Sequence, residues 1–307
     1  MIKFYITQLF SKKKLKEIIE SSFSIIGGVW TIYQILEIVL PTIKTDIINL
    51  CIILTVLFLG INFIIKFPKR TMEYYIKNKD IKIKIIIGDM LKESGGKIIP
   101  TNTTFDTKRE GDFISEKSVQ GQIEEKYYKG NIQSLDTLIE KELNNIEKFK
   151  KLDRKDSKNK QYEIGTTIKL IINNDKYYFL AIADVNEFGQ PKTSYENILI
   201  SLSRLWEFIL EKGHMEPIVI PILGTGRAGV NQSKENVIKQ IIFSFIASNN
   251  GEKKISNELK ICINPEDIKN DIVNIEEICN YVDSMCKYYY ENIYDINNKM
   301  NGSAVEN

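Results

Sequence analysis

The chain begins with two long apolar stretches whose pattern differs from everything after them. Residues 21–43 are interrupted only by Gln34 and Glu37 as strongly polar side chains, and residues 47–65 contain no charge. Each stretch is close to the ~20 residues that a helix needs to cross a bilayer. No small-residue cleavage site separates them, which argues against a signal peptide. The pattern predicts a transmembrane helical hairpin over residues 21–67, after a basic lead over residues 1–20.

Basic residues at the ends of the two stretches predict an orientation. Lys66, Lys69 and Arg70 follow the second stretch, whereas the short link between the stretches carries Lys44 beside Asp46. Lysine and arginine are enriched on the cytoplasmic side of membrane helices. We therefore expect a two-pass protein with both termini and the domain that follows in the cytoplasm.

The first apolar stretch carries a polar stripe. Trp30, Gln34 and Glu37 are spaced i, i+4 and i+7, so they share one side of a helix, with Gly27 a turn earlier. An ionisable residue in a membrane helix usually faces protein or water. Two interpretations stay open: the stripe mediates self-association or lines a pore, or Glu37 is merely solvated near the membrane interface beside Pro41.

After residue 80 the pattern changes to short apolar runs that alternate with helical periodicity. Strand-like runs cover residues 81–87, 97–99, 165–172, 176–183, 218–222 and 259–263, and helical patterns cover residues 135–149, 194–209, 232–247 and 275–289. Alternating strands and helices predict a layered α/β domain, here residues 81–290. Residues 69–80 are interpreted as a charged connector, and residues 108–160 as a charged, mostly solvated insertion. The polar tail, residues 291–307, is predicted to be disordered from residue 297.

Composition narrows the chemistry. The 42 basic and 40 acidic residues nearly cancel, and a net charge of +2 gives no support for a nucleic-acid partner. The four cysteines lack the close spacing of a zinc site and are interpreted as reduced thiols. The one histidine, His214, is expected in a surface turn. No metal site and no mechanism that depends on several histidines is therefore predicted.

A glycine-rich segment lies between the run at 218–222 and the helical pattern from 232. Residues 221–230, which we call the glycine loop, read PILGTGRAGV and hold three glycines within six residues. Such a loop can turn tightly, and its uncovered amides together with the start of the next helix can bind a diphosphate. The alternative is a purely structural turn. The candidate ligand-binding residues here are Gly224, Thr225, Gly226, Arg227, Ala228 and Gly229.

Several separate segments together resemble the macro-domain family. They are Gly88-Asp89-Met90 after the first strand, Asn102, the glycine loop, and Ser118 to Gly121. The resemblance implies that Asp89 accepts a hydrogen bond from the adenine amino group of ADP-ribose, and that Asn102 and Asp106 reach the distal ribose. It also implies that Ser118 and Gly121 belong to a second phosphate loop. The sequence departs from the family at Asn264, where many macro domains have an aromatic residue, and it lacks a triple-glycine stretch near Ser118.

The order of the parts is more specific than any one motif. A membrane hairpin ahead of a macro domain that carries Asn102-x-x-Phe105-Asp106-Thr107 and Leu205-Trp206 resembles the transmembrane-macro effectors of Thoeris anti-phage defence. The resemblance implies a three-layer α/β/α fold with a mixed sheet, and a bacterial inner-membrane effector without a cofactor. It further implies that a partner TIR-domain protein makes a diffusible signal from NAD, a histidine adduct of ADP-ribose, and that its binding drives homo-oligomerisation and membrane disruption.

Two other functions stay open at this point. One is a membrane-anchored ADP-ribosyl hydrolase in which Asp106 or Asn102 positions water, although a single carboxylate without a visible partner is thin support for acid–base chemistry. The other is a membrane-anchored scaffold that binds no nucleotide. We expect a ligand-binding sensor with no catalytic residue.

Overall fold

The computed structural model describes residues 12–39, 44–67, 69–76, 79–107, 114–116, 118–153, 158–186, 190–226, 229–251 and 253–302. The chain divides into two compact units. One is an N-terminal helical unit, and the other, from Thr71, contains every described strand.

The N-terminal unit is a pair of helices, α1 (Lys12–Val39) and α2 (Lys44–Lys66). Both are long and apolar enough to cross a membrane, with mean hydropathies of 1.4 over Lys16–Val39 and 2.6 over Ile47–Lys66, and few of these side chains are buried. The sequence pattern predicted two long apolar helices that form a hairpin, and the structure has both features.

Small polar groups join one end of the hairpin and an apolar cluster joins the other. Asn62 Nδ2 donates to Ser21 Oγ at 3.0 Å, and Lys66 Nζ donates to the Glu17 carbonyl at 2.9 Å. Farther along, Tyr33 of α1 is buried against Ile47 and Cys51 of α2. Hydrogen bonds of this kind between apolar helices help to fix which helix faces meet.

The polar stripe of α1 does not form the face that packs on α2. Trp30 and Gln34 are exposed, and Glu37 is half-buried. The side chains that pack on the α2 cluster are Tyr33, Val29 and Leu36. Trp30 and Gln34 therefore remain on the outer surface of the hairpin.

The second unit is built on a mixed eight-stranded sheet. The described strands are β1 Thr71–Tyr75, β2 Lys82–Ile87, β3 Gly96–Asn102, β4 Lys150–Lys151, β5 Lys160–Gln161, β6 Thr167–Ile172, β7 Asp175–Val185, β8 Pro191–Lys192, β9 Ile218–Pro221 and β10 Glu258–Ile263. The strand order of the sheet is β1-β2-β10-β9-β3-β7-β6, with β8 paired to β7, and β4 pairs with β5 in a separate ribbon. Strands β2, β10, β9, β3 and β7 run parallel, while the pairs β1–β2, β6–β7 and β7–β8 are antiparallel.

The helices that follow or connect these strands are α3 to α8. Their bounds are α3 Val119–Tyr127, α4 Ile132–Leu143, α5 Tyr195–Lys212, α6 Lys234–Ser248, α7 Pro265–Lys269 and α8 Ile275–Gly302. A short 3-10 helix, Met90–Lys92, follows β2. The predicted α/β class with a mixed sheet is confirmed.

Strand β7 shows how the two faces of the sheet are covered. Tyr177, Phe179 and Ala181 belong to a buried cluster with Ile123 of α3 and with the apolar face of α4. The alternate residue, Tyr178, places its ring 6.2 Å from that of Phe208 on α5. Because successive side chains of a strand point to opposite faces, helices cover both sides of the sheet.

Helix α5 supplies part of the core on its face of the sheet. Trp206 is 1% exposed, as its place on the apolar stripe predicted. Its ring lies 5.6 Å from that of Phe245 on α6, and its Nε1 donates to Ser244 Oγ. Ser194 and Ser233 cap the starts of α5 and α6, close to the predicted helix starts.

Two expectations about this unit were wrong. The connector at 69–80 contains edge strand β1, whose positions alternate between exposed and half-buried. Helix α8 extends to Gly302, into the tail that was expected to be disordered from residue 297. The segment 108–160 is largely exposed where it is described, but it also contributes to the core, because Leu135, Ile139 and Leu143 of α4 are buried against the sheet.

The histidine and the cysteines lie as predicted. His214 is exposed in the turn between α5 and β9. All four cysteines are free, and burial raises the pKa of the Cys286 thiol to about 12. A thiol with so high a pKa is a weak nucleophile at neutral pH.

Candidate functional site

A cavity of about 600 Å³ lies at the carboxyl ends of the parallel strands β2, β10, β9 and β3. We call it the edge cavity. Carboxyl ends of parallel strands meet at one edge of a sheet, which is where ligands bind in open α/β folds. Six of the candidate residues line it, namely Asp89, Asn102, Ser118, Gly224, Thr225 and Gly226.

The glycine loop forms one wall of the edge cavity. Gly224 has a φ of +67°, and a Cβ there would lie 3.2 Å from both Ile198 Cδ1 and Thr193 Cγ2, so this position needs glycine. Gly226 lines the cavity and has open space where a Cβ would be. Gly229, with a φ of +54°, closes the turn by donating to the Gly226 carbonyl and does not line the cavity. Arg227 and Ala228 lie outside the described residues.

The loop leads directly into α6. Ser233 Oγ accepts from the Asn236 amide, and Lys234 is the first helical residue. Lys234 Nζ lies 2.7 Å from Asp267 Oδ1, and both residues line the cavity. The start of a helix and a lysine thus stand beside the glycine loop, which makes this wall suitable for an anion.

Asn102 ends β3 and organises the turn that follows. Its Oδ1 accepts from the Thr104 amide at 3.2 Å and from the Asp106 amide at 3.1 Å, and its Nδ2 donates to Asp106 Oδ2 at 3.3 Å. Phe105, inside this turn, has a φ of +52°, a conformation that non-glycine residues adopt rarely and mostly at constrained sites. Asn102 is therefore held at the cavity wall by its own loop.

Asp106 does not line the cavity. It is 2% exposed, and its carboxylate accepts from Thr104 Oγ1 as well as from Asn102. Its carbonyl accepts from Gln120 Nε2 at 2.7 Å, which ties the turn to α3. The structure therefore places Asp106 behind Asn102 rather than in the cavity.

Ser118 and Gly121 form the start of α3. Ser118 lines the cavity and caps the helix, with Oγ donating to the Ser115 carbonyl at 2.6 Å and accepting from the Gly121 amide at 3.0 Å. Gly121 does not line the cavity. A Cβ there would come within 2.3 Å of the Ser115 carbonyl oxygen, so its role is close packing of the segment before the helix.

Asp89 and Asn264 stand at the other end of the cavity. Asp89 caps the 3-10 helix, its Oδ1 accepting from the Leu91 amide at 2.9 Å, and its side chain is exposed. Asn264 follows β10, lines the cavity and accepts from the Glu266 amide. A polar amide thus occupies the position where the sequence comparison with macro domains expected an aromatic ring.

The sequence of this unit matches a known family. The family described as "Thoeris protein ThsA, Macro domain" matches residues 83–264, which is more than half of the 307 residues. The chain belongs to this family. Its macro domain therefore has an ADP-ribose-binding fold within an anti-phage defence family, and membership of the Thoeris system implies a TIR-domain partner.

Solved macrodomains are similar to this chain at low sequence identity. The Oceanobacillus iheyensis macrodomain, solved with ADP, is 15% identical, covers 69% of this chain and 96% of its own, and gives a TM-score of 0.46. The Trypanosoma brucei macrodomain in complex with ADP-ribose is 10% identical, covers 66% and 71% respectively, and gives a TM-score of 0.43. No curated protein sequence matches the chain.

Sequence reasoning missed several residues that line the cavity. They include Thr101, Gln120, Lys234, Cys262 and Asp267. Thr101 directly precedes Asn102, and Lys234 directly follows Ser233, the cap of α6. Their positions beside residues already recognised could have identified both. Gln120 lies between Ser118 and Gly121, which were named as candidates while Gln120 itself was not. Asp267 can be recognised only from its pairing with Lys234.

Replacing Asn102 tests how far the turn depends on it. We expect Asn102→Ala to lower the free energy of unfolding by about 3 kcal/mol, because the Thr104 and Asp106 amides and the Asp106 carboxylate lose a buried partner. Urea unfolding of the full-length chain in detergent measures this. Asn236→Ala is the control, since that exposed side chain donates to Gln232, which is also exposed, and should change stability by about 0.5 kcal/mol or less. Equal losses in the two variants would contradict the prediction.

Proposed function

We propose that the macro domain binds an ADP-ribose-derived signal and that binding drives assembly of a membrane-anchored effector that disrupts the bilayer. The observation that carries this proposal is the order of the candidate groups along the sheet edge. Asp89 follows β2, Asn264 follows β10, the glycine loop follows β9 and Asn102 ends β3, and these strands are neighbours in that order. Along this edge the polar side chains of Asp89 and Asn264 come first, the glycine loop comes next, and the polar side chain of Asn102 comes last.

That order corresponds to the order of groups in ADP-ribose. Strands in a sheet are about 4.8 Å apart, so the three steps from β2 to β3 span about 14 Å. In this arrangement Asp89 binds the adenine amino group, the amides of the glycine loop and the start of α6 hold the diphosphate, and Asn102 lies at the terminal ribose. The cavity of about 600 Å³ is in the range of small-molecule sites.

The positions of the carboxylates favour binding over hydrolysis. Among the described residues that line the cavity, the carboxylates are Asp89, at the adenine end, and Asp267, which is paired with Lys234 beside the glycine loop. Asp106, which a hydrolase would use at the ribose end, is buried behind Asn102, and its Oδ2 accepts from Thr104 Oγ1 and from Asn102 Nδ2. A general base must reach the reacting water, and no described carboxylate is placed to do so. The domain is therefore proposed as a sensor.

The output is proposed to lie in the helical hairpin. Helices α1 and α2 have the length and composition to span the inner membrane twice, with the macro domain in the cytoplasm. A ligand shifts an equilibrium only if it binds one state more tightly. The signal must therefore prefer an assembled state, and the outward-facing Trp30 and Gln34 are the hairpin residues proposed to meet in the homo-oligomer.

A cell experiment tests this function. In bacteria that express the full-length chain, we expect a membrane-potential dye to report depolarisation when an active TIR partner is co-expressed and NAD is consumed. With an inactive partner, the potential should be retained. A histidine adduct of ADP-ribose is the proposed signal, and adding it or unmodified ADP-ribose to energised inverted membrane vesicles that carry the full-length chain separates the two. Depolarisation that is independent of the partner would contradict the proposal.

The hydrolase alternative has its own test. The full-length chain in detergent is incubated with an ADP-ribosylated peptide, and released ADP-ribose is counted per molecule of protein. A sensor releases none beyond background. Release over many turnovers would replace the sensor by an enzyme.

A further inference from the structure

Two buried oxygens in the wall of the edge cavity lack a hydrogen-bond partner among the described residues. They are Thr101 Oγ1 and Gln120 Oε1. The two residues are 6% and 2% exposed, and both line the cavity. Native proteins pair nearly all of their buried polar atoms, so two unpaired oxygens at one cavity point to a partner that arrives with a ligand.

The orientation of the Gln120 amide is fixed by its neighbours. Its Nε2 donates to the Asp106 carbonyl at 2.7 Å and to Glu124 Oε1 at 3.1 Å. Both partners are acceptors, so the nitrogen must face them and the oxygen must face away from them. An amide oxygen only accepts hydrogen bonds, and it therefore selects for an N–H or O–H group on the ligand.

Thr101 lies at an irregularity of the sheet. Along β3 and β7, Thr101 pairs with Ala181, but the next residue, Asn102, pairs with Ala183, so Ile182 is an extra residue on β7. A bulge of this kind re-aims side chains and is common beside functional sites. Ile182 and Ala183 also line the cavity, which places the bulge in its wall beside Thr101.

We propose that Thr101 and Gln120 are specificity-determining residues that bind the hydroxyls of the terminal pentose of the ligand. This rests on the proposed function, in which Asn102, the neighbour of Thr101, marks the ribose end. Gln120 accepts a hydrogen bond from one hydroxyl, and the Thr101 hydroxyl bonds to another. Because both oxygens are covered in the ligand-free chain, their engagement accompanies a local shift of the wall, which Thr101 can make by rotation about χ1.

Paired ligands and paired variants test the proposal on the full-length chain in detergent. ADP-ribose and ADP share adenosine and the diphosphate and differ by the terminal ribose. Thr101→Val keeps the shape of the side chain and removes the hydroxyl, and Gln120→Met keeps its length and removes the amide. We expect the dissociation constant for ADP-ribose to rise about fivefold in the first variant and about tenfold in the second, as one neutral hydrogen bond allows. The constant for ADP should stay within about twofold.

Thr167→Val is the matched control. Thr167 is also a strand threonine that is 6% exposed, but its hydroxyl donates to the Gly165 carbonyl and it does not line the cavity. Its dissociation constant for ADP-ribose should equal that of the unmodified chain. Retained ADP binding also shows that each variant is folded. If Gln120→Met unfolds, the affinities of Thr101→Val for ADP and ADP-ribose are sufficient to test the proposal.

The outcomes separate this inference from the proposed function. Equal weakening of ADP and ADP-ribose would overturn it, because the two residues would then act on the adenosine or the diphosphate. Unchanged ADP-ribose affinity in Thr101→Val would also overturn it while leaving the sensor intact. An unmodified chain that binds neither of these ligands nor the histidine adduct of ADP-ribose would mean that the proposed function itself is wrong.

Discussion

Gly226→Val is expected to lower the affinity for ADP-ribose about a hundredfold without loosening the fold. The reason is that Gly226 lines the edge cavity, has no positive φ and has no heavy atom within 4 Å of where a Cβ would be. A valine can therefore be accommodated by the protein, but its side chain takes space that the diphosphate needs. Loss of two hydrogen bonds from backbone amides to a charged group amounts to about 3 kcal/mol, which is about a hundredfold in the dissociation constant.

The measurement is calorimetric titration of the full-length chain, with thermal unfolding alongside. Gly251→Val is the matched control, because Gly251 also has open space around its Cβ position and lies outside the cavity. It should bind like the unmodified chain. Gly224→Val should behave differently from both, since its φ of +67° and its tight surroundings make it unstable as well as unable to bind. A Gly226→Val variant that binds within threefold of the unmodified chain would show that the loop does not hold the diphosphate.

Asp89→Asn is expected to change which base is bound. The cap on the Leu91 amide is kept in this variant, because the asparagine oxygen can accept the same hydrogen bond. The charge that accepts from the adenine amino group is lost, and a hydrogen bond to a charged group contributes about 1.5 to 3 kcal/mol. We expect affinity for ADP-ribose to fall about thirtyfold.

A base analogue makes this result specific. In inosine diphosphate ribose a carbonyl replaces the adenine amino group, so Asp89 should disfavour it, whereas the substituted asparagine should favour it through its amide N–H. The order of the two affinities is therefore expected to reverse between the unmodified chain and Asp89→Asn. Asp80→Asn, at an exposed position that pairs with Asn257, is the control and should leave the order unchanged. The same preference in all three proteins would exclude Asp89 from base recognition.

The sequence predicted those elements whose pattern is set by burial. Helix α5 carries Ile198, Leu202, Leu205 and Trp206 on one buried stripe, so the apolar residues that recur at helical spacing are also the ones that are buried. The turn between β6 and β7 is also determined by its own residues, because Asn173 and Asn174 adopt φ of +50° and +66°, which asparagine tolerates. Such features depend on neighbours in the chain and can be recognised there.

Features set by distant partners could not be predicted in the same way. Strand β1 is short and half exposed, and it is a strand because β2 pairs with it residue by residue. Gln120 is buried because the Asp106 carbonyl and Glu124 satisfy its amide nitrogen, although its surroundings in sequence are charged. Gly121 resembled a ligand residue, yet its close approach to Ser115 explains it as packing. For β1 and Gln120 a tertiary contact outweighed local composition, whereas Gly121 is explained by packing against a segment that lies just before it in the chain.

Each of the two units of the protein carries one tryptophan, so the fluorescence of the two units can be told apart by substituting one of them. The chain has two tryptophans, Trp206 sealed in the core of the macro domain and Trp30 exposed on the hairpin, and neither lines the edge cavity. A ligand in that cavity cannot quench either indole by direct contact. With Trp206→Phe, all indole emission comes from Trp30, so a change of its wavelength on addition of ligand reports, without any attached dye, that the event at the sheet edge has reached the N-terminal helices.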